Sequence, residues 1–344
     1  MTNNNKTLRV QSSPHIHSGA SVEKIMRNVV LALLPTSGFA VYAFGITALL
    51  VLFTAILSCV LSEHLLCKFS NKPSTLGDYS VVITGLLYGM TLPPGLPLWM
   101  VCVGGVVAVG LGKFIFGGLG YNVFNPALVG RAFLQAAFPV SMTSWMPAFS
   151  PDRFHVIASS TLTLPFTTPH YDIIASATPL AAMKFEQHVS DTADLLLGLS
   201  SGSTAETCSV LILLGGIYLM ARNMLNWRIP AGIFAAVILL SGVFNVIDES
   251  RYGAPLFMLF SGGLMLGALF MATDMVASPM TSLGCFIYGV FIGILVVIIR
   301  YWSGMTEGVM YAILFANAIS PHIDRLVQPL PYGFRKRKTR WNPR

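Results

Sequence analysis

Long apolar blocks, parted by short polar or glycine-rich stretches, dominate this 344-residue chain. A helix needs about 20 predominantly apolar residues to span the hydrocarbon core of a bilayer. On that rule the pattern predicts spans near residues 25–43, 45–66, 80–92, 97–116 and 122–139, then near 207–224, 230–247, 256–273, 282–301 and 307–324. Five segments are thus followed by one long polar interval and five more. The expected fold is an all-α integral membrane protein of about ten transmembrane helices. It divides into an N-terminal arm (1–24), a first membrane repeat (25–139), a loop (140–206), a second membrane repeat (207–328) and a basic tail (329–344).

The two membrane blocks resemble each other. In the first, a short segment ending "GLLYGMTLPPG" precedes a long helix, the turn "FGGLGYN" and a span opening "FNPALVGRAF". In the second, the short segment "GGLMLGALFMATD" precedes a long helix, the turn "RYWSGMTEG" and the span "AILFANAISP". Five spans per block reverse the direction of the chain, so the expectation is two inverted five-helix repeats, with 80–92 and 256–273 as broken helices meeting near the midplane. Such a scaffold resembles the urea and ammonium channel architecture.

Composition supports a lipid environment. Only 10% of residues are charged and 54% are hydrophobic, with a mean hydropathy of +0.69, whereas a soluble domain carries about 25% charged residues. The net charge of +7 does not point to nucleic acid, because the C-terminal "FRKRKTR" alone supplies five basic residues, a mark of a cytoplasmic membrane edge. With the N-terminus inside, sixteen Lys and Arg residues fall on the inner side, and only Arg153, Lys184, Arg251 and Arg300 fall outside; Arg131 lies within a span. Both termini are therefore expected in the cytoplasm and residues 140–206 outside it. The first residues lack an apolar core, so no cleavable signal peptide is expected. Cys59, Cys67, Cys102, Cys208 and Cys285 are scattered without C-x-x-C spacing. They read as buried packing rather than as a metal site.

Carboxylates within apolar segments are costly and mark candidate ion or proton paths. Asp274, in "FMATDMVASP", and Asp324, in "SPHIDR", are the foremost of these, with Asp78 at the start of the matching first-half segment. A plainer reading puts all three at the membrane interface, with Asp324 paired to Arg325. In "GKFIFGGLGYNVFNPALVGRAF", Asn125 is placed to cap a helix opening at Pro126. With Lys113 nearby, that helix start suits a polar or anionic ligand; a tight turn packed on the other repeat explains the same residues.

The loop contains "DIIASATPLAAMK", residues 172–184. Thr178 has no fixed general base beside it in sequence. Small neighbours and Pro179 suit it to be an exposed acceptor modified by another protein, although an ordinary Ser/Thr-rich turn has the same composition. Here the combination of "SSPHIHSG", "FGGLGYNVFNPALVGRAF", "SATPL", "MATDMVASP" and "AILFANAISPHID" resembles a known family. Its members include the D component of the Rnf electron-transport complex and the B component of the sodium-pumping NADH:quinone oxidoreductase. The likeness runs from about residue 13 to 328.

The resemblance implies that a flavin transferase attaches FMN by a phosphoester to Thr178, with Asp172, Ser176 and Ala177 as recognition residues of a D-x-x-(S/T)-(G/S)-A-T motif. Ala175 departs from the residue type often found at its position. The resemblance also implies a second, non-covalent flavin, riboflavin, and ion passage involving Asp274 and Asp324. The implied function is that of a membrane subunit of an ion-translocating ferredoxin:NAD oxidoreductase in a bacterial inner membrane. Its partners would be other membrane, flavin-carrying and iron–sulfur subunits, with no nucleic acid. The chain has no cluster cysteines of its own and would not be catalytically complete alone. The rival expectation is a ten-helix channel or transporter for a small solute, since a scaffold does not decide function.

Overall fold

The computed structural model describes residues 21–72, 75–165, 167, 178–188, 190–199, 202–204, 208–249 and 252–328. Ser21 opens the first helix, α1 (Val22–Phe44), its hydroxyl accepting from the Lys24 N–H at 3.2 Å. Gly45, at φ +72°, turns the chain into α2 (Ile46–Phe69). A Cβ at Gly45 would overlap the Arg153 carbonyl at 1.9 Å, so glycine is what lets the loop backbone dock here. Then follow α3 (Ser80–Met90), α4 (Leu98–Val109) with a π-helical turn at Gly110–Phe114, α5 (Pro126–Ala137) and the short α6 (Pro139–Met142). The loop carries α7 (Pro179–Ala181), which runs into a π-helical turn at Ala182–Glu186, and α8 (Thr192–Leu197). The second half comprises α9 (Ser209–Ala221), α10 (Arg228–Ile247), α11 (Pro255–Phe260), α12 (Leu264–Leu266) with a π-helical turn at Gly267–Met271, α13 (Ser282–Trp302) and α14 (Val309–Leu326).

Each predicted apolar segment contains helix. Among the described residues, α1, α2, α10 and α13 are long and apolar enough to cross a membrane; α3, α9 and α4 with its π-helical turn are shorter apolar helices. Helix α2 has 24 residues, or about 36 Å at 1.5 Å per residue. Its exposed face is the stripe Leu49, Phe53, Leu57, Leu61 and Leu65, while Ser58, Ser62 and Glu63 are buried. Greasy outside and polar inside is the reverse of a water-soluble helix. It defines a multi-pass membrane protein.

Of the two segments expected to be broken, 256–273 is interrupted within its length, whereas 80–92 forms one short continuous helix that simply stops early. α3 ends before a buried irregular stretch, residues 91–97. Backbone polar groups at such depth need internal partners. The loop supplies them: Thr204 donates N–H and hydroxyl bonds to the Leu92 carbonyl, and the Ser160 hydroxyl donates to the Gly95 carbonyl at 2.8 Å. In the second half the break lies between α11 and α12. There the Arg300 guanidinium donates to the Met258 and Ser261 carbonyls. Arg300 is only 2% exposed, its guanidinium committed to those carbonyls. Cys102 also departs from expectation: it is exposed, while the other four cysteines are buried. It sits on the outer face of α4, where a small apolar thiol is at no disadvantage beside lipid.

Candidate functional site

Two cavities hold most of the polar groups singled out above, and α5 joins them. Asn125 caps α5 as expected, its side-chain oxygen accepting from the Ala127 N–H at 3.0 Å. Its amide nitrogen donates to the Met271 carbonyl at 3.1 Å, tying α5 to the interrupted segment of the other half. Around this end lies a cavity of about 130 Å³ whose wall includes Ser80, Lys113, Asn122, Asn125, Thr273 and Asp274. Asn122 donates to one Asp274 carboxylate oxygen at 3.0 Å, and the Val276 N–H donates to the other at 3.1 Å. Asp274 is therefore brought to the α5 terminus, where the helix dipole favours a negative group.

Lys113 is not an open anion-binding cation. Its ammonium donates to both carboxylate oxygens of Glu63, at 2.7 and 2.9 Å, and to the Ser80 hydroxyl at 2.7 Å. Ser80 in turn donates to Asp78 at 2.5 Å, and Thr75 donates to Glu63. Gly112 packs against Pro126, where a Cβ would lie 2.7 Å from the proline Cα. Gly112 thus packs within its own half, whereas contact with the other half is made by Asn122 and Asn125, and Lys113 is committed to a buried ion pair. Asp324 is not in this cavity. Its carboxylate accepts from the Met280 N–H at 2.9 Å, joining the end of α14 to the turn before α13.

The other end of α5 reaches a second cavity, of about 400 Å³, whose wall includes Arg131, Gln135, Thr178, Gly263, Glu307 and Tyr311. Trp145 and Phe185 add aromatic surface to it. Thr178 precedes α7, and its hydroxyl oxygen accepts from the Ala181 N–H at 3.3 Å. It is 3% exposed, so the exposed acceptor expected from its small neighbours is not what the fold presents. The turn after it packs on the second half through Leu180, which lies against Gly262, and Thr178 faces the cavity. Asp172, Ser176 and Ala177 lie outside the described residues. Just beyond, Lys184 donates to the Arg300 carbonyl at 2.8 Å and to the Ser303 carbonyl, covering the C-terminus of α13. Burial there pulls its pKa below the ordinary lysine value.

Arg131 bonds to Glu307 across the cavity wall, with side chains only 9% and 16% exposed. This explains a charge lying within a predicted span. Sequence reasoning missed both acidic partners. Glu63 sits inside an apolar run, and the rule that selects Asp274 selects it too. Glu307 carries no such signal, because its partner lies 176 residues away.

Fold and site together define a multi-pass membrane protein with polar cavities built at helix interruptions. Residues 9–333 match the model of the NQR2, RnfD, RnfE family, and the chain belongs to that family. It is 39% identical over 337 residues to the D component of the proton-translocating ferredoxin:NAD(+) oxidoreductase complex of Clostridium ljungdahlii, covering 95% of this chain and 96% of that one. It is also 39% identical over 339 residues to the D component of the Na(+)-translocating ferredoxin:NAD(+) oxidoreductase complex of Acetobacterium woodii, covering 97% and 98%. The D component of the ion-translocating oxidoreductase complex of Stutzerimonas stutzeri is 37% identical, with 91% and 93% covered.

Proposed function

We propose that this chain is the membrane subunit of an ion-translocating ferredoxin:NAD oxidoreductase complex of the Rnf type and that it carries FMN on Thr178. The supporting observation is that Thr178 lines a cavity of about 400 Å³ with Trp145, Phe185 and Tyr311 among its walls. A pocket that combines aromatic and apolar wall with polar groups such as Arg131, Gln135 and Glu307 suits a flat heteroaromatic ring with polar edges. FMN supplies the chemistry of taking one or two electrons, while the protein supplies position and electrostatics. Thr178 would hold the phosphate through its hydroxyl. The aromatic walls would hold the ring, and burial would keep water from it. Because Thr178 is only 3% exposed, the transferase would act on a more open state of this segment. A non-covalent riboflavin and the other complex subunits belong to the same reading.

The full architecture of this proposal has ten crossings in two inverted repeats, termini in the cytoplasm and loop 140–206 outside. Packing supports it. α2 packs on α4 and α4 on α5, as α10 packs on α13 and α13 on α14. Across the halves, α1 meets α9 and α5 meets α14, so first pairs with first and last with last. A pseudo-two-fold axis produces that pattern.

The test is expression with a flavin transferase, followed by a denaturing gel viewed under ultraviolet light and extraction of free flavin. Wild type is expected to give a fluorescent band and to release riboflavin, and Thr178→Ala to give a dark band. A transferase confined to the cytoplasm should leave even the wild type dark if the loop lies outside. A dark wild-type band with active, correctly placed transferase returns the solute channel to first place.

A further inference from the structure

We propose that Arg131 and Glu307 form an opposed electrostatic pair that sets the reduction potential of the flavin held at Thr178. Arg131 is the positioning residue that favours the reduced form. The inference rests on the flavin reading above and gives the pair a task within it. Arg131 and Glu307 are the only charged side chains among the described residues lining the Thr178 cavity. Their guanidinium and carboxylate are bonded to each other and largely withdrawn from solvent. Charges in such surroundings act more strongly than in water.

Their backbones are well held. Arg131 lies near the middle of α5, whose start is tied through Asn125 to Met271. Glu307 immediately precedes Gly308 and the start of α14. A flavin that gains electrons from a partner's redox centre gains negative charge until it passes them on. A guanidinium beside it stabilises that charge, and a carboxylate opposes it. Arginine suits the role because it stays protonated throughout and presents a fixed fork of donors. No bond forms or breaks in the pair; it shifts the balance between oxidised and reduced cofactor.

Opposite signs follow for the two partners, which a merely structural role would not produce. The experiment is a redox titration of the covalent flavin by its absorbance, in complex purified with Arg131→Gln, Glu307→Gln, Arg131→Lys or both glutamine changes. Gel fluorescence first confirms attachment. Arg131→Gln is expected to raise the oxidised-to-reduced ratio about tenfold at fixed potential, a downward shift of about 59 mV for one electron or about 30 mV for two. Glu307→Gln is expected to move the potential upward by a similar factor. Arg131→Lys should retain most of the wild-type value, and the double variant should return toward it.

Should Arg131→Gln fail to fold, the upward shift in Glu307→Gln and the near-wild-type double variant still decide the matter. Potentials that stay put, or that move in the same direction in both single variants, overturn the pair's role while leaving attachment intact. A dark wild-type band overturns attachment and the pair's role together.

Discussion

Glu63 and Lys113 stand 50 residues apart in the chain, yet their side chains are only 4% and 5% exposed and meet at 2.7 Å. Such a pair adds little over a well-packed apolar substitute, but removing one member strands a buried charge at a cost of about 3–5 kcal/mol. Lys113→Met is therefore expected to lower thermal stability in detergent sharply. The Glu63→Gln, Lys113→Met double variant should recover much of the loss, as read by the temperature at which the monodisperse peak disappears. A double variant no better than the single one would mean that the ammonium contributes chiefly through Ser80. At this scale the sequence was legible where one residue carries its own signal. Asn125 before Pro126 reads as a cap, and Asp274 in an apolar segment reads as a site. Pairing was not legible, because nothing local in "SGMTEGVM" names Arg131 as the partner of Glu307.

Helices here touch through glycine. A Cβ on Gly289 of α13 would lie 2.4 Å from the Ile229 carbonyl of α10, and one on Gly232 of α10 would lie 2.7 Å from the Phe286 carbonyl of α13. Small residues of this kind let helix backbones approach closely in lipid. Gly289→Ala is expected to cost about 1–3 kcal/mol through overpacking. Gly38→Ala, whose Cβ meets nothing within 4 Å, should be neutral or stabilising by up to about 1 kcal/mol through helix propensity. Melting curves of both variants in one detergent check the contrast, and equal behaviour would refute the contact argument. Element positions were largely legible, since apolar length is a strong signal. The interruptions were legible only in outline. Proline and glycine marked 80–92 as broken, but the irregular stretch lies at 91–97, and the loop hydroxyls that complete it come from Ser160 and Thr204, far along the chain.

Over the whole molecule, the two cavities share two structural members. Helix α5 contributes Asn125 to one and Arg131 and Gln135 to the other; Pro126 and Gln135 are about 14 Å apart along the axis. The interrupted segment contributes Gly263 to one and Asp274 to the other. Under the flavin proposal, α5 and the interrupted segment are the members through which a change of charge at Thr178 would reach the Asp274 carboxylate. If Asp274 handles the transported cation, Asp274→Asn keeps electron flow through the reconstituted complex but fails to build an ion gradient. Retention of both would remove Asp274 from the path. The class of fold was legible from hydropathy alone. The joining of the cavities was not, because it depends on contacts between residues 125 and 271, 146 positions apart.

The exposed stripe of α2, from Leu49 through Phe53, Leu57 and Leu61 to Leu65, bears on how the protein is made. Packing hides the polar side of that helix and leaves the leucines outward, so correct folding makes the surface less compatible with water. The finished protein thus has no soluble precursor of the same shape in which to wait. Insertion has to keep pace with synthesis, and each newly made helix must find lipid before it finds another copy of itself.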